Sequence, residues 1–156
     1  MQFLTSEKNA GRYPGGKENK RVVKYLKKEF TQKYCRGKTV YPGLDSHPSH
    51  ELYKTMMNAD YGFGGMLTID VGSLDNANAL MELMQEQNIG YLAVSLGFYK
   101  TLFSAPGTST SSEISEKEQL VMGLSDGLIR FSIGLDDDIQ RTYINIKKCM
   151  IEMGIL

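Results

Sequence analysis

The chain has 156 residues, 41% hydrophobic and 23% charged, with a formal net charge of zero. That is about one domain of ordinary globular composition; no apolar run approaches the ~18 residues of a membrane span, and the start, MQFLTSEKNAGRYPGGKENK, lacks the apolar stretch of a signal peptide. The expected location is cytoplasmic, with no membrane partner. The zero hides an asymmetry: residues 1–38 hold eleven Lys/Arg against three acids, and residues 39–156 seven against fifteen.

In chain order, residues 1–17 read as a flexible lead-in around Arg12-Tyr13-Pro14-Gly15-Gly16. From Glu18 to about Lys33, Val22, Val23, Leu26 and Phe30 recur at helical spacing with lysines opposite, and Gly37 ends that helix. The basic charge of the arm lies along this helix without interleaved stacking aromatics or a recognition motif. A solvated helix face is expected, and no nucleic acid. Thr39-Val40-Tyr41 is a short extended piece closed by Pro42-Gly43. Asp45-Ser46-His47-Pro48 predicts a helix entry, followed by a helix to about Asn58.

Met66-Leu67-Thr68-Ile69-Asp70 alternates as a strand does. Ser73 caps a helix whose apolar stripe is Leu74, Ala77, Leu80, Met81 and Met84. Tyr91-Leu92-Ala93-Val94 is a second strand, ending in Ser95-Leu96-Gly97, and residues 104–112 have the composition of an irregular loop. Glu116–Met122 gives one or two helical turns. Asp126-Gly127 turns into the strand Leu128–Ile133, and Asp136 caps the longest helix, with Ile139, Tyr143, Ile146, Met150 and Met153 on one face and Gly154 as its stop. The expected fold is α+β: a small mixed or antiparallel sheet of three or four strands with helices packed on one face.

Most candidate sites dissolve on inspection. Gly62-Phe63-Gly64-Gly65 is followed by a strand, whereas a phosphate loop needs a following helix whose amides hold the anion. His47 and His50, with Glu51, have no cysteine or further histidine to complete a metal sphere, so helix-start contacts are expected and no metal. Cys35 and Cys149 read as ordinary thiols, and the nine methionines as core filler. No nucleophile elbow accompanies the serines of 104–115. Arg130 differs. It stands mid-strand among Leu128, Ile129, Phe131 and Ile133, where a guanidinium is expensive unless something offsets its desolvation. Periodicity leaves three readings open: a bound carboxylate gripped by two parallel bonds, a wet outer face, or an internal Asp partner.

Several runs then resemble one family. Tyr41-Pro42-Gly43-Leu44 with Ser46-His47-Pro48 and His50-Glu51, Gly62-Phe63-Gly64-Gly65-Met66, Leu92-Ala93-Val94-Ser95-Leu96-Gly97, and Ser125-Asp126-Gly127-Leu128-Ile129-Arg130 through Gly134 resemble, in order, motifs of the trans-sulfuration group of pyridoxal-phosphate (PLP) enzymes. That group includes cystathionine and methionine gamma-lyases and cystathionine gamma-synthase. The resemblance covers residues 40–156 and implies the C-terminal small domain of a fold-type I PLP enzyme over residues 18–156, acting in sulfur amino-acid metabolism. It implies that Arg130 binds the substrate α-carboxylate, with Ser95 and Leu96 beside it and Ser95 near the cofactor. Val94 stands where several cystathionine-processing members carry Glu, which looks more like methionine gamma-lyase.

The pattern also departs. Phe98-Tyr99 replaces a second glycine and a small residue, and residues 104–111 lack the histidines of the usual segment. No lysine stands in the family's Ser-x-Thr-Lys context, so the catalytic lysine and the rest of the PLP site are expected on a separate cofactor-bearing domain or subunit. The chain alone is then expected to bind no PLP and to be inactive. Its expected partners are an amino-acid substrate, that domain, and further copies of itself in a homo-oligomer. The competing reading is a non-catalytic remnant, an interaction module in which Arg130 pairs internally.

Overall fold

A computed structural model describes residues 39–57, 62–109, 113–135 and 138–156. The expected lead-in, the helix of 18–33, Cys35 and the Asp136 cap lie outside the described residues. The described elements are β1 (Thr39–Val40), α1 (His50–Met56), β2 (Met66–Asp70), α2 (Leu74–Glu86), β3 (Tyr91–Leu92), β4 (Leu102–Ser104), α3 (Glu116–Val121), β5 (Leu128–Ser132) and α4 (Ile139–Glu152). None of these helices is long and apolar enough to cross a membrane.

The strands form one mixed sheet in the order β1-β2-β5-β4-β3, antiparallel except for the parallel pair β3·β4. Five strands replace the expected three or four. The added interior strand is β4, whose three residues are all buried. A strand buried on both faces shows no alternation, so periodicity cannot find it. The chain gets from β3 to the parallel β4 through residues 93–101, without a helix. β3 stops at Leu92, short of Val94, because residues 94–97 leave the ladder to cross the sheet.

Register places Leu67 and Ile69 of β2, Ile129 and Phe131 of β5 and Phe103 of β4 on one face. Against that face pack Ala77, Leu80, Met81 and Met84 of α2 with Tyr143, Ile146, Cys149 and Met150 of α4, all buried. Of the stripes read from sequence, Ala77, Leu80, Met81, Met84, Tyr143, Ile146 and Met150 are in this set; Leu74 is half-buried, Met153 packs at the margin, and Cys149 joins without having been expected there. Both helices have working starts: Ser73 Oγ accepts from Asn76 N at 3.2 Å, and Asp138 Oδ1 accepts from Arg141 N at 3.0 Å. Capping of this kind satisfies amides that the first turn leaves unpaired. Gly154 (φ +68°) takes the left-handed conformation that stops α4.

The first helix starts later than its composition suggests. Three successive turn bonds, Leu44 N to Tyr41 O, His47 N to Leu44 O and His50 N to His47 O, occupy the segment, so α1 begins only at His50. Its N-cap, Ser49, makes no side-chain capping bond; His47 Nδ1 accepts from Ser49 N at 3.1 Å and braces the turn that leads in. His50 is buried, its Nδ1 2.8 Å from the Pro42 carbonyl and its ring stacked on Phe63 with centroids 4.8 Å apart. Tyr53 and Tyr41 complete the cluster around Phe63.

Candidate functional site

The other sheet face is polar where it matters. Thr68, Arg130 and Ser104 lie side by side on β2, β5 and β4, forming one row across the sheet. Alternation dictates this: Arg130 sits between Ile129 and Phe131, both committed to the helical face, so its side chain must leave by the opposite one. Ser132, two residues on, shares that face.

Residues 93–101 cross this face and meet the row. Arg130 Nη2 donates to the Ser95 carbonyl at 3.4 Å, and Gly97 N donates to Ser132 Oγ at 3.4 Å. The turn depends on two glycines. Gly97 has φ +69°, a conformation that costs other residues sterically. Gly134 passes so near the Lys100–Thr101 backbone that a Cβ there would collide with it, and it donates to Thr101 Oγ1 at 3.1 Å. The turn thereby brings the Ser95 carbonyl to the guanidinium, with Val94 and Leu96 on either side of it in the chain. Val94 and Leu96 stay more than half exposed.

Arg130 is not in open water. It is half-buried, and its Nε is sealed from solvent with no hydrogen-bond partner, as is the Ser104 hydroxyl on the neighbouring strand. Among the described residues no carboxylate pairs with it; the described ion pairs involve His50, Lys54, Glu51 and Asp45. Of the three readings of Arg130, a wet outer face and a described Asp partner thus lose support. Asp70, at the end of β2, is occupied: its carboxylate accepts from Ser125 Oγ at 2.7 Å and from Gly72 N at 2.8 Å. That tie explains Ser125 structurally, since it fastens the entry of β5 to the end of β2.

Sequence reasoning missed Ser104 and Ser132. Ser132 was legible as the residue two beyond Arg130 on the same strand, which alternation puts on the same face. Ser104 had no such signal, because it falls at the start of the loop expected over residues 104–112, and the rest of β4 carries no alternation.

PLP is anchored in such enzymes through a lysine. A Schiff-base lysine must be available unprotonated, which burial or a neighbouring cation achieves. No described lysine is buried. Lys100, beside the turn, donates to the Tyr91 hydroxyl at 3.2 Å and lies over its ring; the hydrogen bond holds its ammonium above the ordinary lysine range. Lys54 is paired with Glu51 at 2.8 Å. The described residues do not fit the cofactor's anchoring lysine.

The family profile described as Cys/Met metabolism PLP-dependent enzyme matches residues 16–142. The chain belongs to this family. A methionine gamma-lyase of Arabidopsis thaliana is 43% identical over 117 residues, 74% of this chain and 26% of that protein. A cystathionine gamma-lyase of Bacillus subtilis is 39% identical over 97 residues, 62% of this chain and 24% of that protein. The chain thus spans about a quarter of the length of the curated relatives it matches. Cystathionine gamma synthase from Xanthomonas oryzae, crystallised with aminoacrylate and cysteine, shares the fold: TM-score 0.70 at 24% identity, over 90% of this chain and 34% of that one.

Proposed function

We propose that this chain is the C-terminal small domain of a PLP-dependent enzyme acting on a sulfur amino acid of the methionine, homocysteine or cystathionine kind. Its part in the reaction is to hold the substrate α-carboxylate on Arg130. One observation carries the reading: a half-buried guanidinium, roofed by the Ser95 turn, meets no carboxylate among the described residues. A guanidinium presents donors at the spacing of a carboxylate's two oxygens, so an amino acid docked there is fixed in orientation as well as place. Fixing orientation is itself a catalytic contribution.

Ser95 meets the guanidinium through its carbonyl, and Val94 and Leu96 give the site an apolar rim. An apolar Val94 offers nothing to the distal ammonium of cystathionine and suits an unbranched thioether such as methionine. The cofactor and its lysine come from a separate domain or subunit, which also covers the exposed Val94, Leu96, Phe98 and Tyr99. The test is reconstitution. Mixed with the PLP-bearing region of a gamma-lyase, the chain should raise α-keto acid release from methionine above that of the region alone. No gain with this chain, where a relative's own small domain gives one, overturns the proposal.

A further inference from the structure

Arg130 and Ser104 face each other as direct partners across the β4·β5 ladder. Each carries a polar atom that is sealed from solvent and unpartnered: Nε of Arg130 and Oγ of Ser104. Ser104 as a whole is 2% exposed. Folding has stripped both atoms of water and, taken singly, given neither anything in return, which native structures avoid. One is a donor only and the other accepts through two lone pairs. Directly opposed residues on an antiparallel pair have their Cβ atoms about 4.5–5.5 Å apart, and a serine moves between staggered wells at little cost. Thr68, which flanks Arg130 on the other side, is half-buried and its hydroxyl is not sealed in this way.

We infer that Ser104 is a positioning residue for Arg130: its hydroxyl accepts the Nε–H, directly or through one enclosed water, and sets the plane of the guanidinium. With Nε held by Ser104 and one Nη2 proton held by the Ser95 carbonyl, the rotation of the group about its stem is fixed from two sides. The end-on edge, one proton each on Nη1 and Nη2, is then left to make two parallel bonds to a carboxylate. This deepens the carboxylate reading of Arg130 and rests on it for its purpose. The clip itself is a feature of the chain alone.

The test is hydrogen exchange of the Arg130 Nε–H, followed by ¹⁵N NMR on the full chain and assigned by its loss in Arg130→Lys. Wild type and Ser104→Thr should exchange slowly, while Ser104→Ala and Ser104→Val should exchange faster by on the order of tenfold or more. Threonine and valine differ only in hydroxyl against methyl, so that pair decides the matter even if the alanine variant fails to fold. Equal protection in all four, or threonine behaving as valine does, overturns the inference. Acetate titration of the same samples separates the two claims. Wild-type Nη signals unmoved by acetate contradict the carboxylate reading, while the exchange comparison still judges Ser104.

Discussion

At the residue scale, an arginine between isoleucine and phenylalanine is a costly choice, offset in part by the Ser95 carbonyl and, in the proposed reading, by a bound carboxylate. Arg130→Lys keeps the charge and loses the fork. In the reconstituted assembly it should raise KM for methionine by roughly 10- to 100-fold, the range expected when a charge-assisted pair of about 1.5–3 kcal/mol is lost, while the fold stays intact by circular dichroism. An unchanged KM would separate Arg130 from substrate binding. Tyr41 shows a different use of burial. Loss of solvent, reinforced by Tyr53 and opposed by a backbone hydrogen bond, pushes its hydroxyl up to about 12. A group whose folded value is raised contributes fully below its unfolded value, near 10, and that contribution is lost as pH climbs toward 12. Denaturation midpoints should therefore fall between pH 10 and 12, by at most about 2–3 kcal/mol from this group, and Tyr41→Phe should flatten that alkaline limb. A mutant curve parallel to wild type would contradict the assignment.

At the scale of elements, what was legible in sequence followed from periodicity and punctuation. The stripes of α2 and α4, the Ser73 cap, the Gly154 stop and the alternation of β2 and β5 were all readable because each depends on local spacing. The cap of α4 is on Asp138, beyond the expected position, where three successive aspartates offer the same chemistry. What escaped was β4, buried on both faces, and with it Ser104. The family runs divide in a way that sequence alone does not show. The tyrosine, histidine and phenylalanine of the first two runs converge on a packed cluster around Phe63, so they stabilise. The last two meet at the guanidinium, where the proposed carboxylate site lies. Two substitutions test the support. Ser73→Ala should cost about 1 kcal/mol by loss of the cap. Phe103→Ala empties the middle of the sheet's apolar face and should cost about 3–5 kcal/mol, with β4 and the Arg130–Ser104 register loosened together. Both are read from urea midpoints, and a neutral Phe103→Ala would remove β4 from the core.

At the scale of the molecule, the two sheet faces have separate jobs. One is closed by α2 and α4 and supplies the stability; the other, crossed by residues 93–101, carries the proposed site and ends in exposed apolar side chains. Leu120, Val121 and Met122 of the α3 end add a second exposed apolar group. Surface of this kind on an isolated chain favours association. Light scattering should show mass rising with concentration, and less of it once the cofactor-bearing region is added; a monomer at every concentration would argue that these residues face water by design.

The account turns on whether the carboxylate of the amino acid is what Arg130 holds. The direct measurement is titration of the reconstituted assembly with L-methionine and with methioninol, which keeps the amine and thioether but lacks the carboxylate. Wild type should prefer methionine by about tenfold or more, as the loss of a charge-assisted pair implies, and Arg130→Ala should bind the two alike. A preference for methionine that survives Arg130→Ala would place the carboxylate elsewhere and contradict the account.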